Sequence, residues 1–353
     1  MAILDLSQDA VSLTAALVDV YSGSGHETEL ADLVEKALRA HTALTIDRDG
    51  DAVVARTTLG RSERVVLAGH LDTVPPADNL PSRRVADQLY GLGTADMKSG
   101  VAVMLRLAAT LRGSPRDVTY VFYDGEEVEA ERNGLLRLSR TKPEWLRADF
   151  AVLLEPTDGV LEGGCQGSMR VDVTVTGRRA HSARSWLGSN AIHAAAPVLD
   201  RLRSVTPREP VVDGLQFREG LNAVGIRGGV AGNVVPDECV VTVNYRFAPD
   251  RTEGEAESFL RDLFQGYAVA VTDSSPAARP GLDHAVAQQL LTTVGGTPRA
   301  KFGWTDVARF SALGVPAVNY GPGDPSVSHT PGEHVAVSQV AEVESRLRAW
   351  LTA

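Results

Sequence analysis

His70 and Asp72 stand two positions apart in "VVLAGHLDTVP" (65–75), directly after a short apolar run. Residues i and i+2 of a strand point the same way, so an imidazole and a carboxylate share one side where a buried strand ends. A carboxylate in that place accepts the second ring N–H of a metal-binding histidine, which fixes its tautomer and raises its basicity. The plain alternative is a loop histidine capped by its neighbour.

Further stretches carry chemistry of the same kind. "GLGTADMKSG" (91–100) comes close to two phosphate-binding motifs and satisfies neither: a dinucleotide fingerprint needs glycine at Asp96, and a phosphate loop needs glycine at Met97. Asp96 would repel a phosphate and suit a cation, or else it caps the helix that this stretch opens. "VTYVFYDGEEVEAE" (118–131) ends an apolar strand in Asp124, Glu126 and Glu127. One of the paired glutamates can bind a metal while the other reaches a water beside it. Without a cation the cluster is simply a solvated acidic loop. Glu155 follows the apolar run of "AVLLEPTDG", and "YGPGDPSVSHTPGEH" presents His329 from a loop stiffened by glycine and proline, with His334 as the weaker candidate. Two histidines and three carboxylates, His70, Asp96, Glu127, Glu155 and His329, suit two zinc ions better than one. Asp96 would bridge, each ion taking one histidine and one glutamate. Paired metals of this kind serve amide and ester hydrolysis.

Elements of the right kind are available to position them. Helical periodicity covers Ala10–Val20, Thr28–Ala40, Val101–Leu111 and the last twenty residues, and short apolar runs lie at Ala52–Arg56, Val65–Ala68, Thr119–Tyr123 and Ala151–Leu154. Strands alternating with helices predict an α/β domain, a mixed-to-parallel sheet flanked by helices, whose carboxyl edge is the usual place for a site. After "EGGCQGS" the pattern changes. "MRVDVTVTG" alternates strictly, a helix spans about 190–202, strands lie at Ala223–Gly229 and Cys239–Phe247, a helix near Glu253–Phe264, and a strand in "YAVAVTD". This β-α-β-β-α-β order predicts a ferredoxin-like α+β domain, inserted at 168–279 into a catalytic domain made of 1–167 and 280–353.

The chain has 353 residues and a net charge of -10, with its arginines scattered. That disfavours a nucleic-acid partner, and an anionic substrate would need a local positive pocket. "MAILDLSQDAVSLTAALVDV" has no basic leader and reads as an amphipathic helix, not a signal peptide. No apolar run reaches the length of a membrane span. The two cysteines, Cys165 and Cys239, form no framework and point to a reducing cytoplasm.

In order along the chain, "GHLDTVP", "GLGTADMKSG", "DGEE", "EPT" and "SHTPGEH" resemble the motifs of the M20 family of dinuclear zinc metallopeptidases and deacylases. The resemblance spans essentially the whole chain and implies roles. His70 and Glu155 would hold one zinc, Glu127 and His329 the other, with Asp96 bridging and cobalt or manganese as substitutes. Asp72 would orient His70, and Glu126 would be the general base. His181, in "RAHSAR", would stabilise the oxyanion in the active site of a partner subunit, which implies a homodimer built through the inserted lid domain. Many relatives place a glycine directly after the paired acids. Here "EEVEAERNG" delays it, which leaves Glu129 and Glu131 as alternatives for the acid register.

Such an enzyme acting on a small substrate with several carboxylates needs bidentate arginines. Arg246 in "NYRFAPD", Arg309 in "WTDVARF" and Arg184 in "HSARSW" are the candidates, with Asn233 and Ser168 as neutral donors. A non-catalytic dimer that only binds ligand would be expected to lack the metal set or the base, and both are present. A nucleotide-binding α/β enzyme is disfavoured by the two failed phosphate motifs.

Overall fold

The computed structural model describes residues 4–353, so the first three residues of the N-terminal stretch lie outside it. The chain divides into two compact units. One comprises Met1–Gly164, Pro280–Ala300 and Thr305–Ala353, and the other Cys165–Arg279 with Lys301–Trp304. The second unit thus starts three residues before the expected boundary at 168 and takes in a short returning segment that no composition shift marks.

The first unit is built on an eight-stranded mixed sheet. Its centre is parallel: Arg64–His70 lies between Asp117–Tyr123 and Phe150–Leu153, and Ala317–Asn319 continues beyond Phe150–Leu153. Antiparallel pairs flank this centre, Thr45–Asp49 with Ala52–Arg56 on one side and Glu162–Gly163 with Ala317–Asn319 on the other, and a short parallel pair of Arg299–Ala300 with Glu162–Gly163 closes the second side. The central strands are buried along nearly their whole length, as strands covered on both faces must be. In register, His70 stands beside Tyr123 and Ala68 beside Leu153. The chain therefore leaves three neighbouring strands at one edge, and the next residues are Asp72, Glu126 with Glu127, and Glu155.

Helices Thr28–His41 and Ser99–Thr110 turn apolar stripes inward, with Leu30, Val34 and Leu38 buried on the first. The N-terminal helix is shorter than its apolar pattern, Ala10–Val18, and is capped by Asp9 accepting from the Ser12 N–H. The C-terminal helix spans Val337–Thr352. Among the described residues no helix is long and apolar enough to cross a membrane.

The second unit has a four-stranded antiparallel sheet in the order Gly220–Gly228, Glu238–Phe247, Gly167–Thr176, Ala268–Ser275. Helices follow its first and third strands in sequence, which is the ferredoxin-like arrangement. One face is the core: Met169, Val171, Val173, Val175, Val241, Val243 and Tyr245 pack with Val198, Ala256 and Leu260 of the helices. The helix expected over 190–202 is two, Ala191–Ala194 and Ala196–Ser204, with a proline in the first turn of the second. Pro197 has no N–H to continue the preceding turn.

Candidate metal centre

At the carboxyl edge of the large sheet the His70 imidazole, 0% exposed, has Nε2 3.2 Å from Asp96 Oδ1. The other oxygen of Asp96, Oδ2, lies 3.5 Å from Nε2 of His329, and His329 Nε2 is also 2.7 Å from Glu127 Oε1. His70, Asp96 and Glu127 offer ligand atoms all within 4.8 Å of one another. Each oxygen of Asp96 thus faces a different histidine. Glu155, 4% exposed, is close enough for its charge to raise the His70 pKa.

The backbone explains how Asp96 arrives there. The following helix begins at Ser99, so Asp96 is not its cap; its own φ and ψ are -120° and 95°. Gly93 supplies a left-handed φ of 78° ahead of it. At Gly100 a Cβ would overlap the Leu154 carbonyl oxygen. These glycines of "GLGTADMKSG" thus serve backbone purposes that no phosphate is needed to explain. His329 is itself held at a φ of 62°, a region sparsely used by non-glycine residues and common at functional sites.

Asp72 does more than steady an imidazole. His70 Nδ1 lies 3.0 Å from the Asp72 carbonyl oxygen and 3.5 Å from its carboxylate. The carboxylate accepts the main-chain N–H of Glu126 on Oδ1 and of Glu127 on Oδ2, each at 3.0 Å, and the Ser24 hydroxyl at 2.7 Å. Burial alone would raise its pKa, but His70 and these donors hold it at about 2. Asp124 turns away from the cluster into a bidentate pair with Arg137 at 2.8 and 3.0 Å. Glu129 and Glu131 are exposed, and Glu131 pairs with Arg140. The acids that turn inward are Glu126 and Glu127.

The electrostatics are those of a crowded anionic pocket. Burial pushes the Glu126 carboxyl well above its ordinary value; His70 opposes that, while Glu155 and Glu127 add to it. Hydrogen bonding to Asp96 and Glu127 raises His329 to about 10. Burial opposes protonation of His70, yet Asp72 and Asp96 carry its pKa well above normal. Asp96, despite burial, is driven far down by the two histidines. Imidazole nitrogens and carboxylate oxygens at this spacing form a donor set that suits divalent cations. Positive charge placed among them relieves the mutual repulsion of the acids. His70, Asp96 and Glu127, joined by His329 and Glu155, fit a metal centre.

The remaining candidates fall in both units. Arg309 is in the first unit, 3.5 Å from the buried Asp306 carboxylate. Asp306 also accepts from Asn133 Nδ2 at 2.9 Å, and burial raises its pKa. His181, Arg184 and Asn233 are exposed residues of the second unit. His181 pairs with Val234, and the Asn233 carbonyl accepts the Ser182 N–H at 2.9 Å. Nδ1 of His181 accepts the Ala183 N–H at 3.0 Å, so its neutral ring carries the proton on Nε2, a free donor. Ser168 and Arg246 are cross-strand partners on the polar face of the small sheet, and Asn244 Nδ2 lies 3.4 Å from Ser168 Oγ. Burial lowers the Arg246 pKa and Arg170 adds to it, against Asp273. His334 belongs to a short strand, its ring 5.0 Å from that of Tyr90.

Several residues were not legible. Glu333 accepts the N–H groups of Ala95 and Asp96, Glu27 accepts the Gly125 N–H at 3.1 Å, and Lys98 Nζ donates to the Leu17 and Val20 carbonyls. Burial lowers the Lys98 pKa to about 7. The one available signal was Glu333, an acid inside "SHTPGEH".

Residues 66–353 match the sequence pattern of Peptidase family M20/M25/M40. The chain is 56% identical over 351 residues to a Mycobacterium tuberculosis protein described as "Putative succinyl-diaminopimelate desuccinylase DapE", covering 99% of both chains. It is 47% identical over 360 residues to succinyl-diaminopimelate desuccinylase of Corynebacterium glutamicum, covering 99% of this chain and 98% of that one. Among solved structures, a tripeptidase from Staphylococcus aureus superposes with a TM-score of 0.78 at 21% identity, covering 99% of this chain and 98% of the other.

Proposed function

The chain belongs to peptidase family M20/M25/M40, and from that premise we propose that it hydrolyses N-succinyl-LL-2,6-diaminopimelate to succinate and LL-2,6-diaminopimelate, a step toward lysine and peptidoglycan precursors. The observation that carries the chemistry is Asp96, whose two oxygens face His70 and His329. The choice of amide rests on the full-length identity with desuccinylases.

His70 and Glu155 would hold one divalent cation, Glu127 and His329 a second, with Asp96 shared; zinc suits these ligands. When bound, such a pair supplies Lewis acidity toward a carbonyl and lowers the pKa of water. Glu126 removes the proton of the attacking water at its carboxylate and returns it to the departing amine. Burial of its carboxyl favours the protonated form that it must hold for part of the cycle. Asp72, gripping the Glu126 and Glu127 N–H groups, keeps base and ligand in fixed relation. His181 donates from Nε2–H to the developing oxyanion. Arg246, Arg309 and Arg184, with Ser168 and Asn233, would bind the substrate carboxylates and amide.

Exposed apolar residues of the second unit support a homodimer. Ile226 pairs with Val241 and so points to the same face. Val241 is buried under the helices, whereas Ile226 and Val224 on the edge strand are 57% and 59% exposed, with Ile192 and Val230 also exposed. An open apolar edge is a template for a second chain, and a dimer through it would let His181 serve the neighbouring subunit. Two buried cysteines far apart in sequence suit the cytoplasm.

The zinc-loaded protein is assayed with N-succinyl-LL-diaminopimelate, N-acetylornithine and dipeptides in parallel. Turnover of the succinyl substrate at least about tenfold above the others in kcat/KM is expected, a difference of roughly 1.4 kcal/mol in transition-state binding. Preference for acetylornithine or a peptide would move the enzyme to another deacylase or a carboxypeptidase.

A further inference from the structure

Behind the residues that face the site lies an acid that does not face it. Glu333 is 1% exposed. A single oxygen, Oε1, accepts the main-chain N–H of Ala95 and that of Asp96, each at 3.0 Å. Its own carbonyl accepts the Gly91 N–H at 3.1 Å. All three donors belong to Gly91–Asp96, the segment that delivers Asp96. Asp96 and Met97 have non-helical backbone angles, so this turn must satisfy its N–H groups outside a regular ladder. A buried carboxylate is costly unless hydrogen-bonded, and the bonds of Glu333 are spent on this turn.

Its place in sequence matters as much. Glu333 is four residues after His329, in a turn closed by the Glu333 N–H donating to the Thr330 carbonyl at 3.1 Å. The Thr330 carbonyl also receives Asn79 Nδ2 at 3.3 Å. One short segment therefore presents His329 and grips the backbone of Asp96, which lies 3.5 Å from that histidine. The usual outer partner of a metal ligand bonds to the ligand's side chain. Glu333 bonds to the main chain beneath the ligand.

We propose that Glu333 is a positioning residue, which sets the Asp96 carboxylate between His70 and His329 by accepting two backbone N–H groups. The inference rests on the metal-centre reading given above. Only the position of the acceptor oxygen matters, not the charge. Glu333→Gln keeps an oxygen at the same reach, Glu333→Asp withdraws it by one methylene, and Glu333→Ala removes it.

The test measures zinc stoichiometry and affinity by chelator competition on the full chain, with circular dichroism and melting of the metal-free proteins alongside. Wild type should bind two ions. Glu333→Asp and Glu333→Ala should bind zinc about 10–100-fold more weakly, the range seen when an outer partner is lost. Glu333→Gln should stay within about threefold of wild type, because the acceptor is retained. Should the alanine variant fail to fold, the aspartate variant decides. Wild-type affinity in the aspartate variant overturns the proposal, as does a glutamine variant as weak as the aspartate one. A wild-type protein that binds no zinc removes the metal reading itself, a distinguishable failure.

Discussion

At the carboxyl edge of the eight-stranded sheet, His70, Asp72 and Glu155 are buried, and loops that carry ligands are tied down by acids accepting main-chain N–H groups. On the second unit, His181, Arg184 and Asn233 are exposed and held by little more than neighbouring backbone. On the proposed function the two regions would meet different demands. Holding cations requires ligand atoms fixed to fractions of an ångström, and the Glu126–Glu127 loop and the Asp96 turn are clamped from behind. Recognising a substrate that must enter and leave requires donors that stay open until it arrives. Loss of a group at the first region should therefore abolish chemistry without loosening the fold, and loss at the second should tune chemistry and binding.

The largest expected effect comes from the base. Glu126→Gln keeps shape and removes the proton acceptor, so kcat should fall by about 10²–10⁴-fold while zinc content and melting temperature stay at wild-type values. An active variant would transfer the role to another group and break the contrast at its strongest point.

His181 is next. If it is the oxyanion donor proposed above, its removal should cost about 10²–10³-fold in kcat. The side chain is exposed, so melting temperature should not move. Mixing inactive His181→Ala with inactive Glu126→Gln separates donation across subunits from donation within one. Heterodimers assembled from both would have one complete site if the histidine crosses over. Random exchange in a two-fold dimer then restores about a quarter of wild-type activity. No recovery after confirmed exchange would place His181 in its own subunit's site.

The two regions were unequally legible in the sequence. His70, Asp96, Glu127, Glu155 and His329 stand where apolar runs stop or glycine-rich turns begin, and strand periodicity fixes their common edge. The β-α-β-β-α-β order of the second unit was equally plain. Glu27 left no such trace, and Glu333 left only its place inside "SHTPGEH", because a hydrogen bond to main chain 98 or 237 residues away obeys no local period. Asp72 was visible as a partner of His70 through their spacing of two, but its hold on Glu126 and Glu127 crosses to the neighbouring strand's loop, more than fifty residues on, and was not. Strands of two residues, Glu162–Gly163 and Arg299–Ala300, are too short for alternation to show. The helix Gly134–Thr141 was missed because its start is set by an asparagine cap, Asn133, inside a run of charges.

Arg246 offers a smaller effect confined to binding. It lies half-buried on the polar face of the small sheet, beside Ser168 across the strand pair. A charge-assisted bond to a substrate carboxylate is worth about 1.5–3 kcal/mol. Arg246→Ala should accordingly raise KM by roughly 10–100-fold, with kcat within about threefold. Unchanged kinetics would remove Arg246 from recognition, and a kcat loss like that of His181→Ala would move it to the chemical step.

The smallest effect tests whether gripping main chain with a buried carboxylate is in itself a sign of function. Asp117 uses the same device at the opposite end of the same sheet, accepting the N–H groups of Leu59 and Arg61 at 2.8 and 3.0 Å and the Thr57 hydroxyl at 2.6 Å. Burial would raise its pKa, yet these donors bring it below the ordinary value. A carboxylate with a depressed folded pKa contributes stability above its unfolded value, near 3.9, and loses it as pH falls through the folded one. Asp117→Asn should cost about 1–2 kcal/mol at neutral pH, and the gap in melting temperature from wild type should close as pH drops below about 4. Its kcat, KM and zinc affinity should not change, since no ligand loop hangs from it. If Asp117→Asn weakens zinc binding as Glu333→Ala is expected to, the clamps act through the whole sheet, and the carboxyl edge loses its special standing against the rest of the first unit.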